Sequence, residues 1–188
     1  VREAEIRAAA LEQFARRGYE ATTMADIGAA VGMRGPSLYK HVSSKQDLLA
    51  SVIEATMTTL LAEHDAAVSG VDELTERLRR AVDAHVRFHA RHRREAFVGT
   101  RELRSLTEPR RSQILGLRAE YEQRFRTLVA DGVEAGAFTV TDPQLASFAL
   151  LDLGMGVAVW FREDSGPSEN QVAWQQVEFA LRLVGAIR

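Results

Sequence analysis

The stretch TTMADIGAAVGMRGPSLYKHVSSKQDLL, Thr22 to Leu49, decides the fold of this chain. Thr23 stands three residues before Asp26, the spacing of a capping box, in which the threonine hydroxyl satisfies an orphan helix N–H and the acid reaches back. Ile27, Ala30 and Val31 follow at helical spacing and form one apolar face. Gly32 ends that helix, because glycine accepts the left-handed conformation without steric cost. Pro36 suits the first turn of a short second helix over 35–42, where a missing N–H is harmless. Leu38 and Val42 turn inward from it, leaving Arg34, Ser37, Tyr39, Lys40 and His41 outside. Ser44 and Asp47 repeat the capping pattern at the head of a longer helix that carries Lys45 in its first turn. Lysine there opposes the helix dipole, at ~0.3–1 kcal/mol, unless a phosphate sits at the same helix start. Lys40 and Lys45 are the only lysines of the chain, and between Asp26 and Asp47 no acid opposes Arg34, Lys40 and Lys45. A short helix with unopposed positive charge beside a tyrosine has the chemistry of a DNA-reading element.

From Ile6 to Val52 the pattern T-x-x-x-I-x-x-x-x-G, then P/G-S/T-L-Y-x-H, then S-K-x-x-L resembles the DNA-binding signature of the TetR family of bacterial transcriptional regulators. The resemblance implies an all-α homodimeric repressor that a small molecule releases from its operator. By position it makes Thr22, Thr23, Tyr39, His41 and Lys45 phosphate-side contacts, and it places Arg34, Gly35, Pro36, Ser37 and Lys40 at base edges. Two residues depart from the family pattern. Gly28 stands where alanine is usual, at a mid-helix cost of about 1 kcal/mol. Gly35 offers a base no side chain, so specificity leans on Arg34, Lys40 or Tyr39. Of these Arg34 is the strongest candidate, since an arginine opposite guanine discriminates by ~1–3 kcal/mol, whereas lysine–phosphate contacts set affinity and salt dependence.

The 188 residues suffice for one small and one larger domain, with boundaries expected at 1–48 for the DNA reader and 49–188 for the rest. The formal net charge is −2, which excludes a globally basic nucleic-acid coat and confines any attraction for DNA to a local patch. No cysteine is present, so disulfide frameworks and cysteine-rich zinc sites are excluded, and a reducing cytoplasm is the expected compartment. The chain opens on Val1, which suggests trimming and an N-terminal arm that precedes it. The first residues read as a charged amphipathic helix and not as a secretory segment.

Beyond the reader everything has helical periodicity. Helices are expected over 3–17, with Gly18 as stop, 45–68, 72–91, 94–106, 108–135, 143–162 and 168–187. The eighth, ASFALLDLGMGVAVWF, is apolar on most sides, carries Asp152 and falls short of the ~20 residues that cross a bilayer. A helix apolar nearly all round is buried on more than one side. The resemblance supplies the reason: the last two helices of each subunit pair across a twofold axis, with Gly154 and Gly156 permitting close approach and Val177, Leu181 and Val184 as the matching stripe.

The resemblance also implies a ligand cavity among helices five to eight. Candidate lining residues are Phe88, Phe97, Arg101, Tyr121, Phe125, Phe148, Leu151 and Met155, with Arg118 and Arg124 as further partners for an anionic group. The C-terminal segments RELRSLTEPRR, YEQRFRTLVADGVEAGAF and VWFREDSGP faintly resemble members that control lipid or sterol breakdown, which implies an acyl-CoA thioester as effector. His85, His89 and His92 share one helical face, yet Val86 stands where the glutamate of H-E-x-x-H would be and arginines crowd the site. No metal and no cofactor is expected. Glycine-rich phosphate loops, a G-x-S-x-G elbow and a cysteine nucleophile are all missing, so an enzyme is not expected. The alternative is a helical ligand- or partner-binding dimer that has lost DNA binding.

Overall fold

A computed structural model describes residues 2–186. Among them are nine helices: α1 (Arg2–Arg17), α2 (Met24–Ala30), α3 (Gly35–Leu38), α4 (Lys45–Val68), α5 (Leu74–Arg91), α6 (Arg93–Arg101), α7 (Arg110–Glu134), α8 (Pro143–Trp160) and α9 (Glu169–Leu183). One 3-10 turn, Glu102–Ser105, extends α6, and no strand occurs among the described residues. The expected helix of 168–187 includes Ile187, which lies outside the described residues. The expected helix of 35–42 is shorter than its periodicity suggests. Four residues are helical, and the chain then turns through His41 to Val42, whose N–H still reaches the Leu38 carbonyl at 3.2 Å.

One compact unit takes 2–58 together with 94–117, and the other takes 59–93 with 118–186. In the first unit Ile6, Ala10 and Phe14 of α1 form the buried face that the sequence periodicity marks. Ile27, Leu38, Leu49, Ile53, Val98 and Ile114 are buried in the same unit, where α1 packs on α2 and α2 on α3. In the second unit α5 packs against both α8 and α9, and Leu78, Val82, Phe125, Leu150, Val157 and Val177 are buried.

That second core holds an unusual amount of imidazole. His64, His85 and His89 are all buried. Burial holds each of them below the ordinary histidine range, His85 furthest, because an apolar surround disfavours the charged ring. Above the unfolded value of 6.5 both states are neutral and stability is intact. Below it, the unfolded chain binds protons that the core refuses, so stability falls as the pH falls through that value. We predict that the unfolding midpoint of the second unit drops between about pH 7.5 and about pH 5.5, with a slope of at most ~1.4 kcal/mol per pH unit for each histidine. Thermal melts across that range check it; a flat midpoint contradicts it.

Candidate nucleic-acid interface

Each local signal in the reader has its structural counterpart. Thr23 caps α2 reciprocally: its hydroxyl accepts from the Asp26 N–H at 3.1 Å and its own N–H donates to the Asp26 carboxylate at 2.8 Å. The Thr23 hydroxyl donating to the Asp26 carboxylate at 2.7 Å, together with the Thr23 N–H and Arg17 at 3.1 Å, holds that carboxyl down to about 2. Gly32 sits at φ +66°, where a side chain would be strained, and lets the chain reverse into Met33. Gly28 has a steric reason as well: a Cβ there would lie 2.9 Å from the Met33 carbonyl oxygen, so the close α2–α3 turn favours glycine over the alanine of the family pattern. Arg34 is the extended N-cap of α3, and Pro36 lies in its first turn. Ser44 accepts the Asp47 N–H at 3.0 Å at the head of α4.

This backbone presents Thr23, Arg34, Gly35, Pro36, Ser37, Tyr39, Lys40 and His41 at the surface, with Leu38 sealed beneath them. Tyr39 is 55% exposed, a large aromatic left in water beside two cations. Thr22 does not join the set. It is fully buried, and its hydroxyl donates to the Gly18 carbonyl at 2.8 Å, so its polar atom serves the α1–α2 link. Val42 is only half-buried.

Lys45 has a role that its sequence position does not reveal. Its ammonium donates to the carbonyls of Tyr19 and Thr22, both at 2.9 Å, and lies 4.1 Å from the Tyr19 ring centroid. Two of its three N–H groups therefore hold the α1–α2 link to the start of α4, and one remains for an anion.

Around Tyr19 a polar cluster closes that no local motif announces. The Gln46 amide donates to the Tyr19 hydroxyl and the Ser105 carbonyl, both at 2.7 Å, while its oxygen accepts the Thr107 N–H at 3.1 Å. The buried Glu102 accepts the Tyr19 N–H at 3.3 Å and the Ser105 hydroxyl at 3.0 Å. Arg110 pairs with Asp47, and Arg94 pairs with Glu12 at 2.7 Å. Segment 94–117 is thereby tied to the reader by side chains that are dozens of residues away in sequence. Helical periodicity carries no signal for such pairs.

The nominated ligand-lining residues separate. Phe88, Tyr121 and Phe125 are buried in the second unit, with Leu151 and Met155 half-buried there. Phe97 and Arg101 belong to the first unit, where both are exposed and the guanidinium lies 5.4 Å from the ring. Phe148 is half exposed on α8, because it falls on the helix face opposite Leu150 and Val157. Phe97, Arg101 and Phe148 thus lie at the surface of their own units. Arg124 pairs with Asp65 at 2.8 Å and Glu120 at 3.0 Å. Two open grooves of about 390 and 510 Å³ run between α5 and α9 along Arg79 and Trp174, and include none of the nominated residues.

His85 and His89 turn their ring nitrogens to protein partners: His85 to the Tyr121 hydroxyl and the Leu151 carbonyl, both at 2.9 Å, and His89 to the His85 carbonyl at 2.8 Å.

The α8–α9 stripe also differs from the expected one. Val177 and Val184 are buried in their own unit, and Gly154 lies against the His85 ring. The outward apolar residues are Leu145, Phe148, Val159 and Trp160 on α8, and Trp174, Phe179 and Leu183 on α9. Gly156 meets open space.

Known proteins agree with this architecture over nearly the whole chain. Residues 6–52 match the family described as bacterial regulatory proteins, tetR family, and residues 71–184 match the Tetracyclin repressor-like, C-terminal domain. The crystal structure of a bacterial regulatory protein of the tetR family from Rhodococcus RHA1 superposes with a TM-score of 0.93 at 35% identity, over 99% of this chain and 98% of that one. The HTH-type transcriptional repressor KstR2 of Rhodococcus jostii is 25% identical over 182 residues, 96% of this chain and 89% of its own length. AibR, crystallised with isovaleryl coenzyme A and operator DNA, shares the fold at a TM-score of 0.89 and 23% identity over 100% of both chains. The exposed α3 with its flanking cations Arg34 and Lys40, its glycine-turned support and these matches lead to one conclusion: the chain belongs to the TetR family of bacterial transcriptional regulators, DNA-binding proteins and not enzymes.

Proposed function

We propose that this regulator is a cytoplasmic homodimeric repressor that binds a palindromic operator through α3 and leaves it when a largely hydrophobic small molecule binds. In this reading residues 1–48 read DNA, and 49–188 bind the effector and form the dimer. The observation that carries it is the outward face of α3 and its flanks, where Arg34, Ser37, Tyr39 and Lys40 stand exposed over a buried Leu38. Arg34, Gly35, Pro36, Ser37 and Lys40 face base edges, and Thr23, Tyr39 and His41 face phosphates. Lys45 uses its remaining N–H on phosphate while it holds the α1–α2 link.

A reader this short needs a second copy for useful affinity, and the apolar surface of α8 and α9 argues for one. Val159 at 75% exposure and Trp160 at 49% are costly in water as monomer surface. A twofold pairing through α8 and α9 covers such a face and sets the readers one DNA turn, or a multiple of it, apart. The effector site lies in the second unit near Phe88, Tyr121, Phe125, Leu151 and Met155. KstR2 and AibR support a repressor and an acyl-CoA thioester respectively. The coupling required between effector and operator is ~1–3 kcal/mol.

Three outcomes test this reading. Arg34→Ala is expected to leave the melting temperature unchanged and to relax preference at one base pair per half-site by ~1–3 kcal/mol, read by selection from a randomised operator library; coinciding parent and variant profiles remove Arg34 from the bases. Lys45→Ala is expected to weaken binding to all sequences alike and also to lower the melting temperature, as two carbonyls lose a charged donor worth about 1–3 kcal/mol in all. A melting curve that superposes on the parent's denies Lys45 its holding role. Val159→Glu is expected to yield single subunits by sedimentation at micromolar concentration and to abolish operator binding, with helicity kept; an intact dimer places the interface elsewhere.

A further inference from the structure

Among the described residues of the second unit three buried side-chain polar atoms meet no partner, and His64 Nε2 belongs to the most deeply buried of the three side chains. His64 of α4 is only 5% exposed. Its Nδ1 lies 3.1 Å from an oxygen of Asp65. That carboxyl is held down to about 2, chiefly by Arg124, so it is ionised and can only accept. Nδ1 therefore carries the proton, and Nε2 of the neutral ring carries a lone pair. Nε2 is shielded from solvent and meets no hydrogen-bond donor. An acceptor buried in this way costs about 1–3 kcal/mol, and few native groups are left so. The other two such atoms, Arg77 Nε and Gln176 Oε1, belong to half-buried side chains with further polar atoms of their own.

The neighbours of His64 are settled, which makes the exception sharper. The Tyr121 ring meets His64 edge-on at 5.9 Å, and the Phe125 ring lies at 5.3 Å. The Tyr121 hydroxyl is engaged by His85, at 2.9 Å. Nε2 of His85 donates to the Leu151 carbonyl, which fixes its Nδ1 as the acceptor of the tyrosine proton. A Cβ at position 154 would fall 2.1 Å from the His85 ring, so glycine keeps that ring in place. The histidine–tyrosine pair is thus complete in itself, and Tyr121 has no proton to offer His64.

We propose that His64 Nε2 is the polar anchor of the effector, accepting a hydrogen bond from an N–H or O–H on a ligand whose apolar body lies against Tyr121 and Phe125. This rests on the reading of the chain as an effector-controlled repressor and names the chemistry of its effector. The ligand is an apolar molecule with one donor at its polar end. The amide N–H of an acyl-CoA's pantetheine arm and the hydroxyl of a long-chain alcohol both meet that description, whereas an ester of the same length does not.

Calorimetry on the full chain separates these cases, using octanoyl-CoA, 1-octanol and methyl octanoate as probes with parent, His64→Phe and His64→Gln proteins. The parent is expected to bind octanoyl-CoA or 1-octanol at least tenfold more tightly than methyl octanoate. His64→Phe removes that preference by weakening the donor-bearing probe alone, and His64→Gln, whose amide oxygen restores an acceptor, recovers part of it. Which donor-bearing probe shows the effect identifies the source of the donor. Equal binding by parent and His64→Phe, or no binding of any probe by a parent that still binds DNA, leaves Nε2 to a water molecule and overturns the proposal. Operator binding is measured separately by fluorescence anisotropy. A His64-dependent preference in a protein that binds no DNA upholds the ligand chemistry and rejects the repressor reading. Melting curves of both variants exclude loss of fold as the cause.

Discussion

The ammonium of Lys45 and the backbone it holds are the constraint on which the reader depends. A four-residue helix has no stability of its own, because nucleation costs more than one turn returns. Its direction must come from what surrounds it. Leu38 fixes it from beneath, the α2 turn at Gly28 and Gly32 fixes its start, and Lys45 binds the α1–α2 link to the head of α4 through the Tyr19 and Thr22 carbonyls. Gln46 and Glu102 extend this tie to the segment that follows α6. The outward side chains are then free to serve recognition, since none of them is needed for the packing.

The same division runs through the second unit. His64, His85, His89 and Tyr121 lie inside beside Phe125, with nearly all of their hydrogen bonds made, while the outer faces of α8 and α9 stay apolar. The first feature suits a site that senses a small molecule, and the second suits a surface that needs a second copy. Both fit the proposed regulator, in which dimerisation supplies spacing and the effector changes it.

Much of this was legible in the residues, and the limits are physical. Cap spacing and glycine placement are local, so Thr23, Asp26, Gly32 and Pro36 located the reader to within a residue or two. Periodicity found Ile6, Ala10 and Phe14 for the same reason. It overextended α3, because a turn that keeps some helical hydrogen bonds has the same spacing of inward residues. Pairs distant in sequence were not visible. Thr22 resembled a surface threonine until its hydroxyl met Gly18, and Lys45 resembled a free cation until its donors met two carbonyls. Helix rotation is equally hidden in composition: Phe148 is apolar, but its face of α8 is the outer one.

In the proposed dimer two copies of α3, each flanked by Arg34 and Lys40, address successive turns of a duplex together. Hydroxyl-radical footprinting and titration on the native operator, beside versions with half a helical turn inserted at the centre or one half-site scrambled, test it most directly. Two protected patches on one face of the DNA are expected, with a loss of at least a hundredfold in affinity for both altered operators. Equal affinity for all three, with one protected patch that follows the intact half-site, contradicts it.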